Sequence, residues 1–271
     1  MHVKEKIDNY VNLGMTNLDA IAKVCGEIIL LKISKSSKSH NITVKGGVVM
    51  MNISKDLRRT TRDLDIDFIK HSLSDNSIEH FIIQLNNVND GIKLEIIHPI
   101  KELKHQDYSG KRVNLKIVDG YENQYKFKLD IGIHKKLDAK QENLCFNLNS
   151  IPKSVTLLAN SKEQIVVEKL RSLLKLGSVS GRYKDVFDIY YLINLVDKTN
   201  LCTLIDEYIL NDPKMWENNY SEICQRLSEV FADKDYIVLL STNRDNWLEL
   251  PIEKVVAEII SFFDSLVPVK V

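Results

Sequence analysis

The sequence predicts an α+β protein: an N-terminal α/β domain over residues 1–155 followed by a helical domain over residues 156–271. A short β-rich run ends in the glycine pair Gly46-Gly47, passes into a helical stretch, and is followed by a strand in which carboxylates alternate with apolar residues. Two alternating runs then flank Asp119-Gly120, as in a hairpin. Past Pro152 the apolar spacing changes from two to three or four, which is the period of packed helices.

Taken in order, Lys4 to Leu31 repeats apolar residues at helical steps, with Ile7, Tyr10 and Val11 before Gly14 and Leu18, Ile21 and Val24 after it. Gly14 and Thr16-Asn17 mark a break and a new N-cap. Lys35 to His40 reads as a polar turn. Ile42-Thr43-Val44 reads as a strand, and Asp63 to Phe68 as the next. Ile78 to Val88 is helical and Lys93 to Ile97 extended. Arg112 to Ile133 forms the hairpin, with Lys126, Lys128 and Asp130 opposite its apolar face. Helices are expected at Lys162–Leu176, Tyr183–Leu195, Leu201–Ile209, Tyr220–Phe231 and Ile252–Leu266, with the domain boundary between Ser150 and Ser161.

The 37 basic residues equal the 37 acidic ones, and 44% hydrophobic content suits a globular chain that buries a real core. No apolar run is long and uncharged enough for a bilayer, and the N-terminus lacks a signal-peptide stretch, so a cytoplasmic protein is expected. Cys25, Cys145, Cys202 and Cys224 are scattered without C-x-x-C spacing, which points to reduced thiols and not to zinc or redox chemistry. Charge is segregated. Lys101 to Lys140 holds 10 basic and 6 acidic residues, while Leu201 to Val271 holds 13 acidic and 6 basic. A local basic surface can meet phosphates whatever the net charge; solvated faces of unequal sign are the alternative.

In a strand, Asp63, Asp65 and Asp67 share one face and Leu64, Ile66 and Phe68 the other. Three like charges on one face call for cations or for solvent, so the strand reads either as a divalent-metal site or as a charged edge that resists aggregation. Asp130 on a second strand and Gly46-Gly47 upstream favour the site. The glycine pair can bring backbone amides to a phosphate or simply make a tight turn, and Lys45 can touch a phosphate or solvent. In the helical half, Glu168-Lys169-Leu170 lies in one amphipathic helix and Arg182-x-Lys184-Asp185-x-x-Asp188 opens the next. There Asp185 and Asp188 share one helical face, and acidic residues in a first turn also suit the helix dipole, a reading that competes strongly for Asp188 and less well for the whole cluster.

Together, Lys45-Gly46-Gly47, Arg59-x-Thr61-x-Asp63-Leu64-Asp65, the strand residue Asp130, Glu168-Lys169-Leu170 and Arg182-x-Lys184-Asp185-x-x-Asp188 resemble the AbiEii/AbiGii nucleotidyltransferase toxin family, over roughly Val44 to Leu195. That resemblance implies a polymerase-β-like fold with a mixed sheet and a role as toxin in a type IV toxin–antitoxin system. It implies transfer of an NMP from an NTP, with two Mg²⁺ ions, to a hydroxyl acceptor, RNA and especially the tRNA 3′ end being the foremost candidate. By resemblance Asp63, Asp65 and Asp130 hold metal, with Asp67 in reserve because Asp65 with Asp67 fits a bare Asp-x-Asp pattern. Lys45, Gly46, Gly47, Lys169 and Arg182 bind nucleotide, and Asp185 is the second-domain acid. Where the superfamily commonly has Gly-Ser, this chain has Gly46-Gly47, which shifts phosphate grip towards backbone amides, Lys45 or Lys169. A small-molecule or protein acceptor, or a catalytically silent relative that binds nucleic acid or an antitoxin, is the alternative.

Overall fold

Alternation dictates the central register. The computed structural model describes residues 2–103, 110–133, 141–151 and 153–266. In it Leu64, Ile66 and Phe68 of β2 (Asp63–Phe68) are buried against solvent almost completely, as are Phe127, Leu129 and Ile131 of β5 (Gln124–Ile133). Fully burying each such side chain stabilises by roughly 1.5–3 kcal/mol. A one-residue slip would exchange them for carboxylates and lysines, so the register is strongly specified.

The chain forms two compact units, divided between Asn160 and Ser161. In the first, α1 (Val3–Asn12) and α2 (Asn17–Lys35) are separated at Gly14, whose φ is +95°, and the Thr16 hydroxyl caps α2 by accepting from the Asp19 amide. Next come β1 (Ile42–Lys45), α3 (Gly46–Ser54), β2, α4 (Asp75–Asn86), β3 (Lys93–Glu102), β4 (Gly110–Val118), β5, β6 (Glu142–Leu148) and β7 (Lys153–Ala159). They build one mixed sheet in the order β3-β4-β5-β2-β1-β7-β6. β2 runs parallel to β5 and β1 parallel to β7, while the other pairs are antiparallel. Helix α2 lies against β2, β5 and β7, and α4 against β3.

The second unit holds α5 (Lys162–Leu176), α6 (Tyr183–Leu192), α7 (Lys198–Ile205), α8 (Tyr220–Ala232), α9 (Lys234–Thr242) and α10 (Ile252–Asp264). Helix α5 packs on α6, α7 and α8, and α10 on α6 and α8.

Residues 153–159 are extended and form β7, whose residues Leu158 and Ala159 pair with β1, and the division between Asn160 and Ser161 falls inside the Ser150–Ser161 span expected for the boundary. Several expectations need correction. Strands β6 and β7 and helix α9 have no counterpart among the expected elements. The hairpin turn is longer than Asp119-Gly120: Asp119 Oδ1 accepts from the amides of Tyr121 and Asn123 and closes a five-residue loop. The helix expected at Leu201–Ile209 ends at Ile205 and continues as a π-helical turn, Asp206–Leu210. Parts of the basic stretch between Lys101 and Lys140, namely 104–109 and 134–140, lie outside the described residues, as does Pro152. No helix among the described residues is long and apolar enough to cross a membrane.

Candidate active site

Four strands contribute one row of charged side chains. In register, Lys45 of β1 stands beside Asp65 of β2, Asp65 beside Asp130 of β5, and Asp130 beside Arg112 of β4. Side chains that are register partners share a face, so the sheet sets a cation at each end of the row and two carboxylates between. Asp63 and Asp67 flank Asp65 on the same face.

The ends of the row answer two of the acids. Lys45 Nζ lies 2.7 Å from Asp67 Oδ1, both side chains being buried. Arg112 holds Asp130 with two parallel bonds, Nε to Oδ1 at 2.8 Å and Nη2 to Oδ2 at 2.6 Å, which is the fork geometry that guanidinium and carboxylate favour. Hydrogen bonding to Asp130 raises the Arg112 pKa, with the charges of Asp63 and Asp65 adding to it. Asp63 accepts a hydrogen bond from the Thr61 hydroxyl at 3.0 Å. Asp65 has no ion pair among the described residues. Burial, followed by the charge of Asp63, pushes its carboxyl up to about 7, with Lys45 opposing and Asp130 and Asp67 adding smaller increments.

The glycine pair is built around these acids. Gly46 has φ +68°, and a Cβ there would stand 2.4 Å from Asp65 Oδ2; a Cβ at Gly47 would stand 2.6 Å from Thr61 Oγ1. Glycine lets the backbone approach both side chains that frame Asp63 and Asp65. Helix α3 starts at Gly46, and Lys45, its N-cap, makes no side-chain hydrogen bond to it. The first-turn amides therefore lack a side-chain cap beside the carboxylates.

The second unit carries the other anticipated residues. Lys169 of α5, buried, makes ion pairs with Asp185 at 2.5 Å and with Asp188 at 2.9 Å, both on α6. Asp188 is 0% exposed and also accepts from Trp247 Nε1 at 3.1 Å. Arg182 lies 3.8 Å from Asp185 and is more exposed. The ammonium of Lys169 is thus balanced in place by two acids.

The first unit thus gathers Lys45, Gly46, Gly47, Asp63, Asp65, Asp67 and Asp130, and the second gathers Lys169, Arg182 and Asp185. Sequence reasoning missed Arg112, Thr61 as a hydrogen-bond donor, and Trp247. Arg112 had a signal in the hairpin's cross-strand register; Trp247 had none, because its contact with Asp188 spans 59 residues.

These features invite comparison with known proteins. A family model described as nucleotidyl transferase AbiEii toxin, type IV toxin–antitoxin system, matches residues 28–249. The chain belongs to the AbiEii nucleotidyltransferase toxin family. Among solved structures, it is similar to an antigenic nucleotidyltransferase-like protein from Paracoccidioides brasiliensis, at 17% identity, covering 81% of this chain and 91% of that one, with a TM-score of 0.48. A comparison with curated proteins finds no match.

AbiEii membership implies an NTP substrate, a divalent metal and an antitoxin partner. Among the described residues no three His, Cys, Asp or Glu side chains are disposed to hold a metal as they stand. The donor chemistry nonetheless fits: Asp63 and Asp65 offer hard oxygen ligands one strand step apart on one face of β2, beside Asp130 in register on β5.

Proposed function

We propose that this AbiEii protein moves an NMP from an NTP to a hydroxyl of an RNA acceptor, the tRNA 3′ end foremost, as the toxin of a type IV pair. The observation that carries the reading is the Asp63–Asp65 pair set against the uncapped start of α3 at Gly46-Gly47. Acids and phosphate-binding amides meet where a metal–triphosphate would need both.

Asp63 and Asp65 would hold the metal, with Asp130 as third ligand. Lys45 favours this pair over Asp65 with Asp67, since it already answers the Asp67 charge. Two bound Mg²⁺ ions supply Lewis acidity at the α-phosphate and countercharge for departing pyrophosphate. The first-turn amides of α3 receive triphosphate oxygens, the part a loop serine would share elsewhere. Thr61 orients Asp63, and Arg112 orients Asp130. As the acceptor oxygen bonds to the α-phosphorus and the bond to the β-phosphate oxygen breaks, the hydroxyl proton passes to Asp130 or to water. In the second unit, Lys169 fixes Asp185 through their ion pair, so Asp185 with Arg182 presents a set polar group to nucleotide or acceptor. Lys169 itself, doubly paired, serves the nucleotide chiefly by holding that group.

Incubation with each α-labelled NTP, Mg²⁺ and total RNA tests the proposal. Label should enter RNA with the wild type and fall by about 10³-fold with Asp65→Asn. Undiminished incorporation by Asp65→Asn overturns it.

A further inference from the structure

Each edge of the sheet ends on a helical asparagine. At the β3 edge, the Asn86 side chain of α4 donates to the Leu94 carbonyl at 2.9 Å and accepts from the Leu94 amide at 2.8 Å. At the β6 edge, the Asn52 side chain of α3 donates to the Cys145 carbonyl at 3.0 Å and accepts from the Asn147 amide at 3.3 Å. A side-chain amide offers both a donor and an acceptor, so it can occupy a strand edge as a neighbouring strand would. The two clasps share one chemistry and differ in what their helix carries. Helix α4 holds none of the site residues, whereas α3 begins at Gly46-Gly47, beside the acids.

The front of α3 is fitted without slack, since a methyl at Gly46 would meet Asp65 Oδ2 at 2.4 Å and one at Gly47 would meet Thr61 Oγ1 at 2.6 Å. The flank of the helix is looser. Val48, Met51, Asn52 and Lys55 line a cavity of about 220 Å³, together with Leu30 of α2 and Phe146 of β6. Helix α3 packs on β1 and β2 and buries Val48, Val49 and Met50. Apolar burial is non-directional, so it holds the helix down and leaves its rotation about its own axis unset. The open space beside the flank gives that rotation somewhere to go. Directional bonds at the far end supply the missing restraint. Asn52 stands about 9 Å along the axis from Gly46, and its two bonds fall on the residues either side of Phe146, itself buried in the cavity wall.

We propose that Asn52 is a positioning residue for the transfer reaction: bonded to β6, it stops α3 from rolling into the cavity and so keeps the first-turn amides aimed at the triphosphate. The proposal rests on the phosphate-binding role given above to Gly46-Gly47, and it adds the residue that holds that turn in place. Asn52 touches no substrate itself. Strand β2 is held by register on both sides, so the acids keep their places when the clasp is cut and the loss falls on phosphate grip.

Transfer kinetics on the full chain compare Asn52→Leu with Asn86→Leu, each of which cuts a two-bond clasp at one edge of the sheet. Calorimetry with inorganic triphosphate plus Mn²⁺ reads phosphate grip without chemistry. Asn52→Leu should raise the NTP KM and weaken triphosphate binding by about tenfold, with kcat within about twofold of wild type. Asn86→Leu should leave all three unchanged. Asn52→Asp keeps the bond from Asn147 and loses the one to Cys145; it should show about a threefold effect, and it decides the matter if the leucine variant does not fold. An unchanged KM in the Asn52 variants, a loss confined to kcat, or an equal rise in Asn86→Leu reduces Asn52 to a guard of the strand edge and overturns the proposal. A wild type that binds no Mn²⁺–triphosphate overturns the phosphate-binding reading and the proposal with it, whereas equal binding by wild type and Asn52 variants overturns the proposal alone.

Discussion

Replacing Gly46 by alanine separates two effects that the backbone and the site impose together. The residue sits at φ +68°, a region costing a non-glycine residue roughly 1–2 kcal/mol. The new methyl would also stand 2.4 Å from Asp65 Oδ2, whereas ordinary contacts begin about 1 Å further out, at 3.4 Å. The carboxylate must give way, because Asp65 is pinned between β1 and β5 by register on both sides. A displacement near 1 Å in a reacting constellation costs on the order of 10²-fold in rate. Gly46→Ala should therefore lose about 2 kcal/mol, a fall in Tm of about 4–8 °C, and about 10²-fold in NMP transfer. Gly14→Ala is the internal control: its φ is +95° with nothing within 4 Å, so it should lose stability and keep activity. Denaturant melts and labelled-NTP transfer on both variants decide the matter. Equal activities in Gly46→Ala and Gly14→Ala would refute the claim that Gly46 exists to seat Asp65.

Other expectations come from the same charge map. Arg112→Gln should release Asp130 from its two bonds and tighten Mn²⁺ binding about fivefold in the absence of nucleotide, read by electron paramagnetic resonance; weaker binding would show that Arg112 instead builds the metal site. The Asp65 carboxyl, near 7 when folded against about 3.9 when unfolded, makes the folded state bind the extra proton between those values. Without divalent ions, stability should fall by roughly 4 kcal/mol as pH rises from about 4 to 7 and then level off. Subtracting the profile of Asp65→Asn isolates this contribution, and a difference that is flat or rises with pH contradicts it. Asp188→Asn leaves Trp247 an acceptor but strips Lys169 of one buried partner; urea unfolding should show a loss of about 3 kcal/mol, and a loss under 1 kcal/mol would mean that Asp185 suffices. Asp67→Asn should preserve more transfer activity than Asp63→Asn, and the reverse order would move the metal pair to Asp65 and Asp67.

Much of the candidate site was legible because strand parity is strict. Leu64, Ile66 and Phe68 had to point one way, so the acids had to point the other, and the Gly46-Gly47 step at the end of β1 announced a close backbone approach. The bond between Arg112 and Asp130 was within reach too. Val113, Leu115 and Ile117 share a face with Phe127 and Leu129 only if the turn has an odd number of residues, which excludes a two-residue Asp119-Gly120 loop. What fixed the actual length is the Asp119 side chain gathering the amides of Tyr121 and Asn123, a local chemistry easily mistaken for a simple turn. Strand β6 was hidden by the polar residues on the outward face of Glu142–Leu148, and β7 by the change of apolar spacing expected to begin at Pro152. The pairings of Lys45 with Asp67, Lys169 with Asp188, and Asn52 with β6 depend on tertiary placement, about which residue type and spacing are silent.

The placement of β2 and β1 at the middle of the sheet has a consequence for when this chain becomes active. Its flanks are local ribbons, β3 to β4 to β5 on one side and β6 to β7 on the other, each able to form as its residues emerge. The two seams that enclose the acids are long-range: Asp65 meets Asp130, and Val44 meets Ala159. Long-range parallel pairing is the slow part of sheet formation, since its loop entropy must be met before any contact rewards it. A nascent chain that has exposed Lys45, Gly46 and all three β2 aspartates is therefore still without the third acid and its arginine clasp. On the proposed mechanism, activity arrives only with the completed sheet, which leaves an interval between synthesis and potency.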